Sequence, residues 1–553
     1  MRKTLFGAPI PVAPKSSVTV LLLEPSKGFS HFQPPSDLDP GQSPYSMNFV
    51  MREGGLELRP TLSSFTSNAN PVAGVTGGMN LVSSVGSNYP LVSGMSKVAY
   101  YSTDSLQWSL LSYVSAGGMN APLSTTSVQY SDMVQSYDPA NDEMVALIAS
   151  GSYQTLYTWK ANTGIYSSIT SAPRAKYLAT ADNFVLAANV RDVGSVQSYY
   201  VQRVQWSDRG GPLTWNPATT NIAGFEDLLD AKGGITRLAT IDNLLLIFFN
   251  DEVWQGVRQQ SGNAAWAFSP LDRSVGCPYP WTVVNTPQGV LFMSRSYMVY
   301  LLPKGGGPAA PVGQAVRRWL SDRIAKPELA WAVFDPQTNT YRLHYAIGGG
   351  TGKPTEAVWL NLGENSWAPQ SYVNAGGTFS LTRGFLTARD GANPTITWNS
   401  LLSSGEVWTS ISSSWLDLFG QQVAAFPVMA AGSSDGTTYY EGTSGLDDTV
   451  PVLATWRSQA LDADSPGIMG VLQEVRMDYA ASAPSVVSFQ ASRDQGASWD
   501  ATSAVTAQAT PVQGVQYFYP YTAAPYPTFQ IQSSSPASRI YRFWAKLRQG
   551  GRV

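Results

Sequence analysis

The stretch YLATADNFVLAAN at residues 177–189 returns as RLATIDNLLLIFFN at residues 237–250. Aligned on Ala-Thr-x-Asp-Asn, Ala179 falls on Ala239, Asn183 on Asn243 and Leu186 on Leu246, sixty positions apart. Asp-Asn between two apolar runs signals a tight turn, because both residues tolerate positive φ and bond back to nearby backbone. The turns are expected to lead into an inner strand of two neighbouring units, with the apolar runs 184–188 and 244–249 buried between those units. Repetition at this period is the mark of an array of supersecondary units.

Further phrases fit the same grammar. SYDPANDEMVALI (136–148) leads to LYTWKANTGIYSS, and VFDPQTNTYRLHYAI (333–347) leads to AVWLNLGENSWAPQ. In each, Asp-Pro opens a turn, a strand follows, and a second hairpin carries tryptophan. Trp159 corresponds to Trp359 and Tyr166 to Trp367. WSDRGGPLTWNP (206–217) reads as a turn framed by Trp206 and Trp215, and TPQGVLFMSRSYMVYLL (286–302) as another strand pair. Hairpins recurring every 45–60 residues match one four-stranded propeller blade. The chain is therefore read as all-β: a β-propeller of about six or seven blades over 66–445, preceded by an extended Pro-rich arm and first strands over 1–65 and followed by a β-sandwich-like domain over 446–553. Alternation in 471–482, 486–499, 528–535 and 539–547 supports the sandwich. One helix stands apart from this pattern: from Val312, VGQAVRRWLSDRIAK puts Val316, Trp319, Leu320 and Ile324 on one face, with Pro327 expected to stop it.

Composition narrows the function. The chain has 553 residues, 43% of them hydrophobic and only 13% charged, about half the usual charged share of roughly 25%. Such thrift with charge suggests surface covered in a large assembly. A formal charge of −3 argues against a basic nucleic-acid binder, which needs clustered Lys and Arg to displace counterions. The only cysteine is Cys277 and the only histidines are His31 and His344. Disulfides, cysteine zinc sites, triads and histidine metal dyads are thereby set aside, and Cys277, in apolar company, is expected to be buried and inert. The apolar run VTVLLL (18–23) is too short for a signal core or a membrane span, so a protein made in a cytoplasm is expected.

Motifs with chemical associations resolve into turns. SRDQGASW places Ser492, Asp494, Gly496 and Trp499 in the Asp-box pattern S-x-D-x-G-x-x-W of sialidase propellers, a turn-stabilising element. No arginine cluster with tyrosine and carboxylates stands out in the sequence to accompany it. Glu226/Asp227 and Asp447/Asp448 are adjacent acids read as solvated, although glycoside chemistry uses paired carboxylates. GGGTGK (348–353) lacks the spacing of a phosphate loop and reads as a hairpin tip. Asp182-Asn183 and Asp242-Asn243 are read as turns rather than metal ligands. No catalytic, cofactor or metal site is assigned.

Three stretches together resemble tail proteins of short-tailed bacteriophages: LDPGQSPYSMNFVMREGGLELRPTL (38–62); VQWSDRGGPLTWNP with AGFEDL (204–228), followed by DEVWQG; and SVGCPYPWTVVNTPQGVLFMS with PVGQAVRRWL. The resemblance covers about 40–400. It implies a structural virion protein, the tail nozzle: a homo-oligomeric ring, commonly a hexamer, below the portal and adapter. Such a ring conducts double-stranded DNA without binding it tightly and anchors fibres or plug proteins. A ring contact is heterologous, using two different faces of each protomer. The rival reading is a carbohydrate-binding or glycoside-cleaving, sialidase-like propeller, since the 17 tryptophans and 27 tyrosines offer stacking surfaces. A scaffold propeller of a cellular complex is a third.

Overall fold

A computed structural model describes residues 18–552 apart from 66–69, 73, 85, 95–96, 103–106, 113–129, 192–197, 243, 260–264, 351, 375–376, 390–425, 435, 443, 463–467 and 537. The chain forms two compact units, one from 59–452 and one from 1–58 together with 453–553.

The larger unit is a β-propeller with seven four-stranded sheets among the described residues. The blades begin at Gly77–Val82, Asp132–Asp138, Arg174–Ala181, Arg237–Ile241, Val284–Thr286, Trp331–Asp335 and Leu381–Arg389. Each of these first strands lies beside the next, and the seventh lies beside the first, so the ring is closed. The repeat that opened the sequence accounts for this packing. Asp182 and Asn183 both have positive φ, and Ala181 pairs with Phe184, which makes a two-residue hairpin of the kind such residues favour. The turn leads out of the innermost strand into the second, rather than into the inner strand as expected. Asn243 lies outside the described residues, but Asp242 has φ 50° and Ile241 pairs with Leu244 in the same way.

The apolar runs bury on both faces, with alternate residues serving opposite neighbours. In blade 3, Phe184, Leu186 and Ala188 pack with Leu245, Ile247 and Phe249 of blade 4, while Val185 and Ala187 pack with Val145 and Leu147 of blade 2. Leu246 and Phe248 continue the pattern into blade 5 against Val290 and Phe292. The Trp159 and Trp359 phrases differ by one residue in register. Trp159 faces Tyr166 directly, whereas Trp359 faces Ala368 and Leu360 faces Trp367. The helix is present at Gln314–Arg323 with Val316, Trp319 and Leu320 buried. It ends before Pro327, because Ile324 turns extended and bridges Ile347.

Blade 7 is completed by the beginning of the propeller segment. Thr61–Ser64 pairs with Thr438–Gly442 as its outer strand. Two buried ion pairs fix this closure. Arg59 meets Asp447 at 2.5 and 3.0 Å, and Asp447 also accepts the Leu62 N–H at 2.9 Å; both side chains are fully buried. Arg342 in blade 6 bonds Asp335 at 2.5 Å and reaches Glu441 in blade 7. Asp447 is thus a structural latch and not a solvated acid.

The smaller unit is a β-sandwich-like pair of sheets. The seven-stranded sheet runs Phe49–Arg52, Gly55–Leu58, Ser538–Arg552, Ile468–Ala481, Thr510–Phe518, with Val18–Leu23 and Thr522–Ala524 added alongside. The five-stranded sheet runs Ser46–Met47, Ala454–Arg457, Thr528–Ser533, Ser485–Ser492, Ser503–Ala507. Their inner faces meet through aromatic pairs such as Trp456 with Phe543, 5.0 Å between ring centres, and Phe489 with Phe518 at 4.6 Å. Within the segment read as an arm with first strands, residues 18–58 supply strands to this unit, with Val18–Leu23 in register on Ser538–Arg552. Residues 1–17 lie outside the described residues.

The Asp-box turn follows Ser485–Ser492 in the sandwich. Asp494 accepts the Ser492 and Ser498 hydroxyls at 2.7 and 2.5 Å and the Ser498 N–H at 2.7 Å, and Gly496 holds φ 92° against Trp499. Those bonds hold the Asp494 carboxyl down at about 2.

Two outcomes follow from these bonds. Asp447→Asn leaves Arg59 buried without its counter-charge and is expected to cost about 3–5 kcal/mol in urea unfolding, whereas Asp448→Asn, at a positive-φ position Asn accepts, stays within about 0.5 kcal/mol. Because the Asp494 carboxyl is depressed, its contribution is present above the ordinary carboxylate range and is lost as pH falls from about 4 toward about 2. The gap in unfolding midpoint between the wild type and Asp494→Asn should therefore shrink toward zero over that window.

Candidate functional site

The innermost strands of the propeller bring together charged residues that lie far apart in the chain. A cavity of 320 Å³ is lined by Gly78, Met79 and Asn80 of blade 1, Asp132 and Met133 of blade 2, Arg237 of blade 4, and Arg383, Phe385 and Leu386 of blade 7. Each comes from a first strand or the residue beside it, so the ring geometry brings them together. Glycine permits the tight seams: a Cβ on Gly78 would sit 2.3 Å from the Phe385 ring, and one on Gly384 would sit 2.4 Å from Trp331.

The two guanidinium groups have different partners. Arg237 pairs with Asp132, whose carboxylate also accepts the Leu178 N–H at 2.8 Å and the Met133 N–H at 3.1 Å. Both Asp132 oxygens are therefore engaged. Arg383 has no carboxylate partner among the described residues, and its Nη1 is buried without a hydrogen bond. It lies over the Trp281 ring at 4.5 Å and near the Tyr130 ring at 5.6 Å, while Arg237 lies over Trp281 at 4.6 Å. Such cation–π contacts recover part of the lost hydration. Tyr130 and Tyr177 complete the aromatic wall around Trp281. Burial first, and the nearby Arg237 second, bring the Arg383 guanidinium down to about 10, so it still carries its charge at neutral pH. Two cations and one anion leave the cavity with one positive charge in excess.

Residues singled out in the sequence lie elsewhere. Asp182 bridges Arg209 at 2.9 Å and Arg258 of blade 4 at 3.2 Å, and Asp242 pairs with Lys304 of blade 5 at 3.1 Å; these turns tie adjacent blades. Among the described residues no group of His, Cys, Asp and Glu could hold a metal ion. Asp227 forms a two-pronged pair with Arg203 at 2.7 and 2.8 Å, while Glu226 is exposed beside it. GGGTGK caps the hairpin between Thr340–Tyr345 and Glu356–Asn361, with Gly349 and Gly352 at positive φ. His344 is wholly buried, stacked 3.8 Å from Trp331 with Nε2 3.1 Å from the Tyr372 hydroxyl, and burial holds its imidazole neutral. His31 stacks on Phe29 in the smaller unit. Sequence reading missed the Arg237–Asp132–Arg383 set. The available signal was a charge at or near the start of several first strands, where a packed ring would otherwise place apolar or small residues.

Cys277 is fully buried, with its S–H directed to the Tyr279 carbonyl at 3.2 Å, and burial pushes the thiol up to about 11. Iodoacetamide at pH 8 should therefore leave the native protein unlabelled and modify Cys277 only after unfolding, as read by intact mass; labelling of the native chain would contradict this burial.

No protein-family model matches the chain, and no curated protein matches it in sequence. Among solved structures it is similar to BamB from Moraxella catarrhalis, with 11% identity over 72% of this chain and 94% of that one and a TM-score of 0.29. It is also similar to a glycoside hydrolase family 43 arabinoxylan arabinofuranohydrolase from Bacillus subtilis, with 9% identity over 89% of this chain and 99% of that one and a TM-score of 0.23. Likenesses of this size carry no functional implication.

Proposed function

We propose that the chain is a structural virion protein, the tail nozzle of a short-tailed bacteriophage, acting without catalysis. Its copies form a closed ring, a hexamer, beneath the head-to-tail adapter, pass double-stranded DNA during ejection and hold fibres or plug proteins. The observation that carries this reading is the outer edge of blade 3. Its last strand, Gly224–Asp227, falls inside the stretch at 204–228 that resembles such proteins, and Ile222, Phe225 and Leu229 are exposed there, Leu229 at 78%. Tyr199 and Val201 add to the same blade. An apolar, unpaired strand edge is unfavourable in water and invites association. A heterologous contact between copies would cover it. The other two stretches also support a structural reading, since Arg59 latches the ring and the helix Gln314–Arg323 packs Trp319 beneath Tyr345.

The rival, a glycoside-cleaving propeller, needs two free carboxylates at one site. The axial cavity has one among the described residues, Asp132, and it is already bonded to Arg237 and backbone. Native mass spectrometry with negative-stain imaging, of the protein alone and with adapter-bearing heads, tests the nozzle. Rings are expected, either free or on the head vertex, and Phe225→Asp with Leu229→Asp should reduce them to monomers without loss of folding. A monomer that ignores heads would sink the reading.

A further inference from the structure

We propose that the smaller unit binds a compact aromatic carboxylate, of about benzoate size, in a socket beside the Asp-box turn, with the carboxylate on Arg457 and the ring against Trp499, Tyr45, Pro35 and Pro44. The inference needs neither a ring of copies nor the propeller. Three observations carry it.

First, the fold fixes Arg457 and leaves its end open. At the end of strand Ala454–Arg457, its N–H donates to the Tyr45 carbonyl at 3.0 Å and its carbonyl accepts the Ser43 hydroxyl at 2.8 Å. Its Nε donates to the Gln530 side-chain oxygen at 3.2 Å, and the guanidinium carbon lies 4.3 Å from the Tyr45 ring centre and 5.0 Å from that of Trp499. These contacts hold the plane of the group. Neither terminal nitrogen has a hydrogen bond or a carboxylate partner among the described residues, and neither is closed off from solvent: unbonded arginine nitrogens that are closed off occur at Arg174, Arg191, and Arg383 but not at Arg457. The half-buried side chain lines the cavity. A guanidinium presents a planar fork of donors that a carboxylate meets two at a time.

Second, the acids of the adjoining turn are committed elsewhere. Asp494 is bonded to Ser492 and Ser498, and Asp500 to Thr522 with Arg493 at 3.9 Å. Burial lowers the Arg457 guanidinium from its ordinary value, opposed by the Tyr45 phenol. A partly buried cation without a counter-charge gains from an arriving anion. Third, the space has the size and walls for such a molecule. The cavity measures 190 Å³, and beside Arg457 it is lined by Pro35, Pro44, Tyr45 and Trp499, with Gln495 among the lining residues. About 150 Å³ is enough to hold a benzene ring. Apolar walls around one charged fork are the usual make-up of a small-molecule site.

The lining selects among ligands. One unpaired positive charge matches a monoanion. Inorganic phosphate gains nothing from the prolines and rings, and a saccharide finds the Tyr45 and Trp499 rings already engaged by the guanidinium.

The test is a ligand-observed NMR titration of the full chain with benzoate, with benzamide, which has the same shape without the charge, and inorganic phosphate as comparisons. Benzoate is expected to bind at one site, with benzamide and phosphate each at least tenfold weaker. Arg457→Gln should weaken benzoate about tenfold or more, and Arg457→Lys, which keeps the charge but loses the planar fork, several-fold. Arg493→Gln, at an exposed arginine of the adjoining turn, should leave binding unchanged and so separates the socket from general attraction to positive charge. If Arg457→Gln does not fold, the contrast between benzoate and benzamide on the intact protein still decides. Absence of benzoate binding, equal binding of benzamide, tighter binding of phosphate, undiminished binding by a folded Arg457→Gln, or an equal loss in Arg493→Gln would each overturn the proposal.

Discussion

A ring of sheets needs a bond that the covalent chain does not supply, and here that bond is the pairing of Thr61–Ser64 with Thr438–Gly442. Strand register alone would tolerate slippage, since the outer strand of a blade is only partly buried. The buried Arg59–Asp447 pair removes that freedom, because a shift by one residue would strand two charges in apolar surroundings. Asp447 also takes the Leu62 N–H, so a single carboxylate reads both the side chain and the backbone of the returning segment. Arg342 serves the same end from blade 6 through Glu441. Such pairs add little net stability over apolar packing; their value is in specifying one closure out of several.

The low charge of the chain has a physical source within the fold. Second strands of the blades are buried on both faces: Phe184–Val190 in blade 3, Gly289–Met293 in blade 5 and Thr340–Tyr345 in blade 6 are continuous buried runs. A sheet pressed between two others has no solvated side on which to place lysine or glutamate. The charge within the blade 6 strand, Arg342, is paired with Asp335 and Glu441. Poverty in charge is thus partly a property of packed blades, and it is the exposed apolar edge of blade 3 on which the proposed ring contact rests.

Much of the propeller was legible because its signals are local. The Asp-Asn and Asp-Pro turns are set by a few residues, and the helix at Gln314–Arg323 by its own spacing. The Asp-box turn was read correctly from four residues for the same reason. What was not legible depends on distance along the chain. Val18–Leu23 finds its partner in Ser538–Arg552, and nothing in VTVLLL distinguishes a strand of a large sheet from an arm. Asp447-Asp448 look alike in sequence, yet one is buried against Arg59 and the other is not. The axial set of Asp132, Arg237 and Arg383 is drawn from three blades, so only closure of the ring reveals it.

The sandwich takes strands from both sides of the propeller in sequence, and this orders events during synthesis. Residues 59–452 leave the ribosome as a continuous block whose blades pair mostly with their immediate neighbours, so the ring can form as it emerges. Within the segment 18–58, made first, Val18–Leu23 has to wait for Ser538–Arg552, the strand that pairs with both it and Ile468–Ala481. Until then its edges are open. A chain cut short between residue 452 and that strand would carry a finished propeller and an unsatisfied pair of half-sheets, a form that quality control can distinguish from the full protein by exposed strand edges alone.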